Sequence, residues 1–283
     1  MRKYIVPTIC LMLSISFYLL YQAKVDSIPS ISYFPLDEET GFAEADTNLK
    51  MKILNNRGKY IISWNTFSKS EKSLYLRQDI SLLFKNGKLL GALSKWHENV
   101  KNINLNERVK SKGTGYFQSI SYHHGEIHHS EDSIKSIQKM TYDNLYVIED
   151  RLSPVRSFDT LKTKKNKALE QQLNNEIKGT LLNYWDRIFD HYRIKKKNYL
   201  IVPLTELNRY NNSPLPTLSQ SKTNQIIGQL WEGVYKNYLV PITSASGQVA
   251  SQIPIVLFGK DNKHLIVLFE INENTERLIQ KYP

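Results

Sequence analysis

Cysteine is nearly absent from this 283-residue chain. The single thiol, Cys10, lies in an apolar N-terminal run, so no internal disulfide can form and no cysteine-based metal motif exists. Also missing are G-x-S-x-G, a Walker loop and a dinucleotide glycine fingerprint, which removes the common marks of serine hydrolases, nucleoside triphosphatases and Rossmann enzymes. No repeat of fixed period and no low-complexity tract occurs. Acidic residues are scarce: 27 Asp and Glu stand against 38 Lys and Arg, a net charge of +11. Residues beyond 26 keep 35 basic against 26 acidic side chains, so the excess is not confined to the N-terminus. Such a charge favours anionic surfaces and is silent about fold. With 41% hydrophobic and 23% charged residues, the composition is that of a globular protein, neither disordered nor fibrous.

Charge is missing altogether from Tyr4 to Ala23. At about 1.5 Å per residue this stretch is long enough for a hydrocarbon core of about 30 Å. Arg2 and Lys3 precede it, so the positive-inside tendency keeps the short end in the cytoplasm. A cleaved signal peptide is the competing reading, but Tyr21 puts a bulky ring where cleavage before Lys24 needs a small residue. Lipid attachment at Cys10 is disfavoured because Pro7-Thr8-Ile9 offers no small residue before it. The expectation is an uncleaved transmembrane signal anchor and an extracytoplasmic C-terminal portion. With its Lys, Asn and Ile richness, the chain reads as a single-pass cell-membrane protein of a Gram-positive bacterial envelope.

Four segments follow: 1–26 as cytoplasmic stub and anchor, 27–57 as a stalk or a loosely packed entry segment, 58–150 as a strand-rich half, and 151–283 as an α+β half that either stands alone or shares one domain with 58–150. Asn86-Gly87 between two apolar runs is the clearest hairpin turn, since both residues tolerate positive φ. Ile134, Ile137 and Met140 suggest a short helix over 133–140. Apolar residues recurring at three and four predict a long amphipathic helix over 165–194 and a second ending near Tyr238. Two apolar runs, 253–258 and 265–271, read as a closing hairpin. The fold class expected is α+β, with antiparallel hairpins and two long amphipathic helices.

His123-His124-Gly125-Glu126-Ile127-His128-His129 gathers four of the seven histidines. On a strand, alternate side chains share a face, so His124, Glu126 and His128 would offer two imidazoles and a carboxylate to Zn²⁺. A hydrated edge strand, and a pH sensor whose imidazoles charge together in mild acid, are the other readings. Ser219-Gln220-Ser221-Lys222 matches S-x-x-K, but K-T-G is missing and a serine helix cap explains it. The basic run Arg193, Lys195, Lys196 and Lys197 suits a helix C-terminus. The reading is a non-enzymatic binding module of the envelope, its partner an envelope protein, an anionic wall polymer or a small ligand, and not nucleic acid. The alternative is a surface metal-dependent hydrolase built on the histidine cluster. General polyanion adhesion, a third reading, requires one contiguous basic face.

Overall fold

Strands dominate because most of the first half alternates buried and exposed side chains over long, unbroken stretches. The computed structural model describes residues 32–54, 59–130, 133–150, 153–158, 164–245, 247 and 249–282. Of these, 56% are strand and 27% helical, so the expected α+β class is corrected to a mainly β protein with a nearly closed, barrel-like sheet.

The sheet is organised on one long hairpin. β2 (Lys59–Lys85) and β3 (Lys88–Lys112) pair antiparallel along nearly their whole length across the Asn86-Gly87 turn, where φ is 50° and 81°. The other edge of β2 is divided. Tyr60 to Ser70 pairs with β1 (Phe42–Ile53), and Leu76 to Lys85 pairs with β4 (Gly115–Ser130), with a register break between Lys69 and Leu74. β5 (Ser133–Asp150) and β6 (Ser153–Phe158) extend the sheet from β4. The circuit returns to β1 through side chains: Thr47 Oγ1 lies 2.5 Å from Thr141 Oγ1, and the Leu49 N–H donates to Asp143 Oδ2 at 2.6 Å.

The second half covers the outer face of β2, β4 and β5. α1 (Lys164–His191) leads to β7 (Tyr199–Pro203) and a 3₁₀ helix, Leu204–Asn211. α2 (Gln220–Val234) continues through a π turn at Tyr235–Leu239 into the short α3 (Val240–Ser244). β8 (Ile255–Gly259), β9 (His264–Ile271) and β10 (Asn274–Lys281) join β7 in an antiparallel sheet of order β10-β9-β8-β7. Ile80, Leu82, Ile120 and Tyr122 pack in one core with Trp185, Leu230 and Trp231. Trp231 is fully buried and stacks on Tyr122 at 5.1 Å.

Two expectations change for physical reasons. The segment 133–140 is strand, not helix: Ile137 faces the barrel interior with Leu74, while Met140 faces the helical side, so a strand buried on both faces imitates a three-residue period. The transmembrane anchor Tyr4 to Ala23 lies outside the described residues, and among those no helix is long and apolar enough to cross a membrane. Even α1, at 28 residues, carries Lys, Glu, Asp and Arg throughout. The reading as an integral single-pass membrane protein, with a signal anchor, a cytoplasmic N-terminus and an extracytoplasmic domain, is corrected accordingly.

Candidate functional site: a histidine strand and an amide-lined groove

Strand geometry sends successive side chains to opposite faces, so β4 buries His123 inside the barrel and His124 on the helical side. His123 Nδ1 lies 2.8 Å from Asp79 Oδ2, and its Nε2 lies 2.8 Å from Thr141 Oγ1. Asp79 Oδ2 also accepts from Ser68 at 2.5 Å, while Arg77 donates to Ser68 and, at 2.8 Å, to the Lys101 carbonyl. Arg77 Nη2 stands 3.8 Å from Asp79 Oδ1. Burial pulls the guanidinium below its ordinary value, and the Asp79 charge opposes that pull. Phe42 closes the end, its ring edge-on to His123 and 4.8 Å from the Arg77 guanidinium carbon. From Thr141 a ladder of hydroxyls runs through Thr47, Ser121 and Ser81 to Thr66.

Asp79, His123 and Thr141 stand in the order and at the spacing of a hydrolase relay. Asp79 and His123 are nevertheless fully buried, and the Thr141 hydroxyl is already engaged by Thr47. The arrangement serves as a bonded polar core. The sequence held no signal for it beyond the histidine itself.

His124, Glu126 and His128 share a face. His124 Nε2 lies 3.7 Å from Glu126 Oε1 and His128 Nε2 lies 3.9 Å from Glu126 Oε2, both beyond hydrogen-bond length. Positions 124 and 128 are about 13 Å apart along a strand, so the imidazoles approach the carboxylate from opposite sides. Neither ring nitrogen of the buried His124 is hydrogen-bonded, nor is Oε1 of Gln78 directly across the ladder. His128 stacks on Tyr75 at 3.7 Å. Among the described residues no group of three or more His, Cys, Asp or Glu is arranged to hold a metal ion.

His129 turns to residues 33–40, which lie along β5 and α2. Pro35 and Asp37 exchange main-chain bonds with Ser136, each 2.9 Å, and the Tyr33 N–H donates to Glu232 Oε2 at 3.2 Å. His129 Nε2 meets Asp37 Oδ2 at 2.6 Å. Desolvation raises the Asp37 carboxyl, but bonds from His129, Thr40 and Glu39 together outweigh it and hold the group at about 2, against an ordinary 3.8. A depressed carboxyl stabilises the docked segment fully above the unfolded value and ceases to do so as pH falls through the folded one. Amide exchange at Asp37 and Ser136, taken relative to the intrinsic rate at each pH, is therefore expected to stay slow down to about pH 4 and to quicken towards pH 2. Asp37→Asn should quicken it at neutral pH. Slow exchange in that variant would show that the carboxylate does not hold the segment.

Beside this segment lies a groove of about 290 Å³ whose lining includes Gln138, Asn211, Asn212 and Asn224. Leu36 and Asn224 also line an adjoining recess of about 620 Å³, which Lys135 and Gln225 border. The groove walls are held by bonds of their own. Gln138 accepts from the Tyr122 hydroxyl at 2.8 Å and donates to the Asn224 carbonyl at 2.8 Å. Asn211 takes both main-chain groups of Met140, at 3.1 and 2.7 Å, as a neighbouring strand would. Asn212 is exposed. Ser219 of S-x-x-K accepts the Lys222 N–H at 3.2 Å, the ordinary role of a helix cap. Neither groove is lined by His123, His124, Glu126 or His128. Asparagine and glutamine carry no sequence pattern that marks a groove, so these residues were not foreseen. No protein-family model and no curated protein matches the chain.

Proposed function

We infer that this protein is a non-enzymatic binding module whose groove takes a neutral, hydroxyl-rich ligand of the oligosaccharide class. The observation that carries the reading is the lining of the smaller groove: carboxamides, most of them fixed by their own hydrogen bonds, two tyrosines (Tyr122 and Tyr210), Lys139 as the one charged side chain, and no carboxylate among the described residues. Carboxamides pair a donor with an acceptor, which suits adjacent hydroxyls. Pockets of this kind fix ligand orientation through a few convergent polar groups. None of the four clustered histidines lines the groove, although Tyr122 of the same strand does and Gln138 pairs with His124 across the ladder.

Calorimetric titration with neutral glucose oligomers and N-acetylglucosamine oligomers tests the reading. Saturable binding of one series is expected. Asn212→Ala and Asn224→Ala should each weaken it about 2- to 10-fold, the worth of one hydrogen bond at about 0.5–1.5 kcal/mol. Binding that is absent, or indifferent to both substitutions, would remove the groove from consideration.

A further inference from the structure

The ladder register of β1, β2 and β3 assembles a surface that no short stretch of sequence displays. Even-numbered residues of β2 from Tyr60 to Ser70 point into the barrel and are buried, so the odd-numbered ones face outward. Reading across the three strands, Lys52, Ile61 and Lys110 form one outward row, and Lys50, Ser63 and Arg108 form the next. Lys59 and Lys112 stand opposite each other at the end. All six cations are exposed. The ion pairs of lysine and arginine among the described residues lie elsewhere, at Arg77, Arg187, Lys196, Arg209 and Lys236.

The rows beyond Ser63 are neutral before they turn acidic. Asn48, Asn65 and Asn106 make up the first, with Asn65 Nδ2 donating to Asn104 Oδ1 at 2.9 Å. Asp46 comes only in the second row beyond Lys50, and Glu44 in the third. Glu107, between Asn106 and Arg108, belongs to the opposite parity, in register with Trp64, and accepts the Arg108 main-chain N–H at 3.0 Å. The cations of β1 and β3 thus form two columns about 9.6 Å apart, repeating about every 6.8 Å along the strands. Ile61 and Ser63 form a low floor between them, over which lysine stems can lie while their ammonium groups stay in water.

We propose that this outer face of β1, β2 and β3 binds an extended phosphodiester polymer through its backbone charges. Two parallel rows of unpaired cations around a narrow, uncharged floor match a linear chain bearing one negative charge per repeat. The neighbouring asparagine amides donate to phosphate oxygens without adding charge. Among the described residues no exposed aromatic ring stands among the cations, so the surface reads the backbone and not bases. The face is remote in sequence from the amide-lined groove and does not depend on the reading given to it.

The test is fluorescence anisotropy with the full chain and three labelled probes of equal charge: an abasic sugar–phosphate 12-mer, oligo(dT) of the same length, and polyglutamate. The abasic and base-bearing probes should bind equally and polyglutamate at least tenfold more weakly. If all six cations engage, the log–log salt slope should be about −4, so that affinity falls a few hundredfold between about 50 and 200 mM salt. Lys50→Gln with Lys110→Gln should reduce the slope to about −2.8. The exposed control pair Lys195→Gln with Lys197→Gln should leave it unchanged, and thermal melts confirm that both variants fold. Stronger binding of oligo(dT) would assign the site to nucleic acid through its bases and overturn the backbone reading. Equal binding of polyglutamate, no binding at 50 mM salt, or a loss confined to the control pair would overturn the proposal outright.

Discussion

Asp79→Ala is expected to lower the unfolding free energy by about 3–5 kcal/mol, the cost of removing one partner from a buried charged pair. The substitution leaves Arg77 in the barrel with no carboxylate, and Arg77 Nε already lacks a hydrogen bond. It also removes the acceptor shared by Ser68 and by Nδ1 of His123. Urea denaturation gives the number directly. Replacing the pair together, as Arg77→Met with Asp79→Leu, should cost less than Asp79→Ala alone, because no charge is then stranded. A single-variant loss below about 1 kcal/mol would mean that water reaches the network and that the barrel is not sealed at Phe42.

Trp231→Ala should cost a similar amount, about 3–5 kcal/mol, for a different reason. The indole is fully buried in the core shared by both halves, stacks on Tyr122, and directs Nε1 at Met140 Sδ, 3.2 Å away. Truncation removes contacts from α2, β4 and β5 together, and the neighbouring strands cannot collapse into the space without breaking their ladders. Trp231→Phe should recover more than half of the loss by refilling most of the volume. If both variants unfolded at the wild-type urea midpoint, the helices would not be supporting the barrel through this residue.

Local chemistry was legible in the sequence where one short stretch decides the outcome. Asn86-Gly87 announces its turn because positive φ restricts the residues there, and the apolar periodicity over 165–194 coincides with α1 at 164–191. The length of β3 was not legible. Its second half, from His97 onward, buries Ile103 and Leu105 on one face while Asn, Lys and Arg fill the other, and the polar majority masks the alternation. H-x-E-x-H told which residues share a face but not that His124 and His128 flank Glu126 from opposite sides, at 3.7 and 3.9 Å. Asp79, His123 and Thr141 meet only because three strands align in register. Likewise the cationic stripe needs the offsets of β1 and β3 against β2, which pair residues as far apart in sequence as Lys59 and Lys112.

The closure of the barrel through side chains also fixes an order in time. β1 leaves the ribosome before every other described strand, yet Thr47 meets Thr141 only after 94 further residues have been made. At about 5–20 residues per second that interval is roughly 5 to 20 seconds. The β2–β3 hairpin closes locally and soon after synthesis, and it can hold β1 on its edge while the opposite rim is still missing. For those seconds β1 keeps one satisfied edge and one bare one, so the nascent chain is most exposed to wrong partners along the line where the finished barrel is sealed.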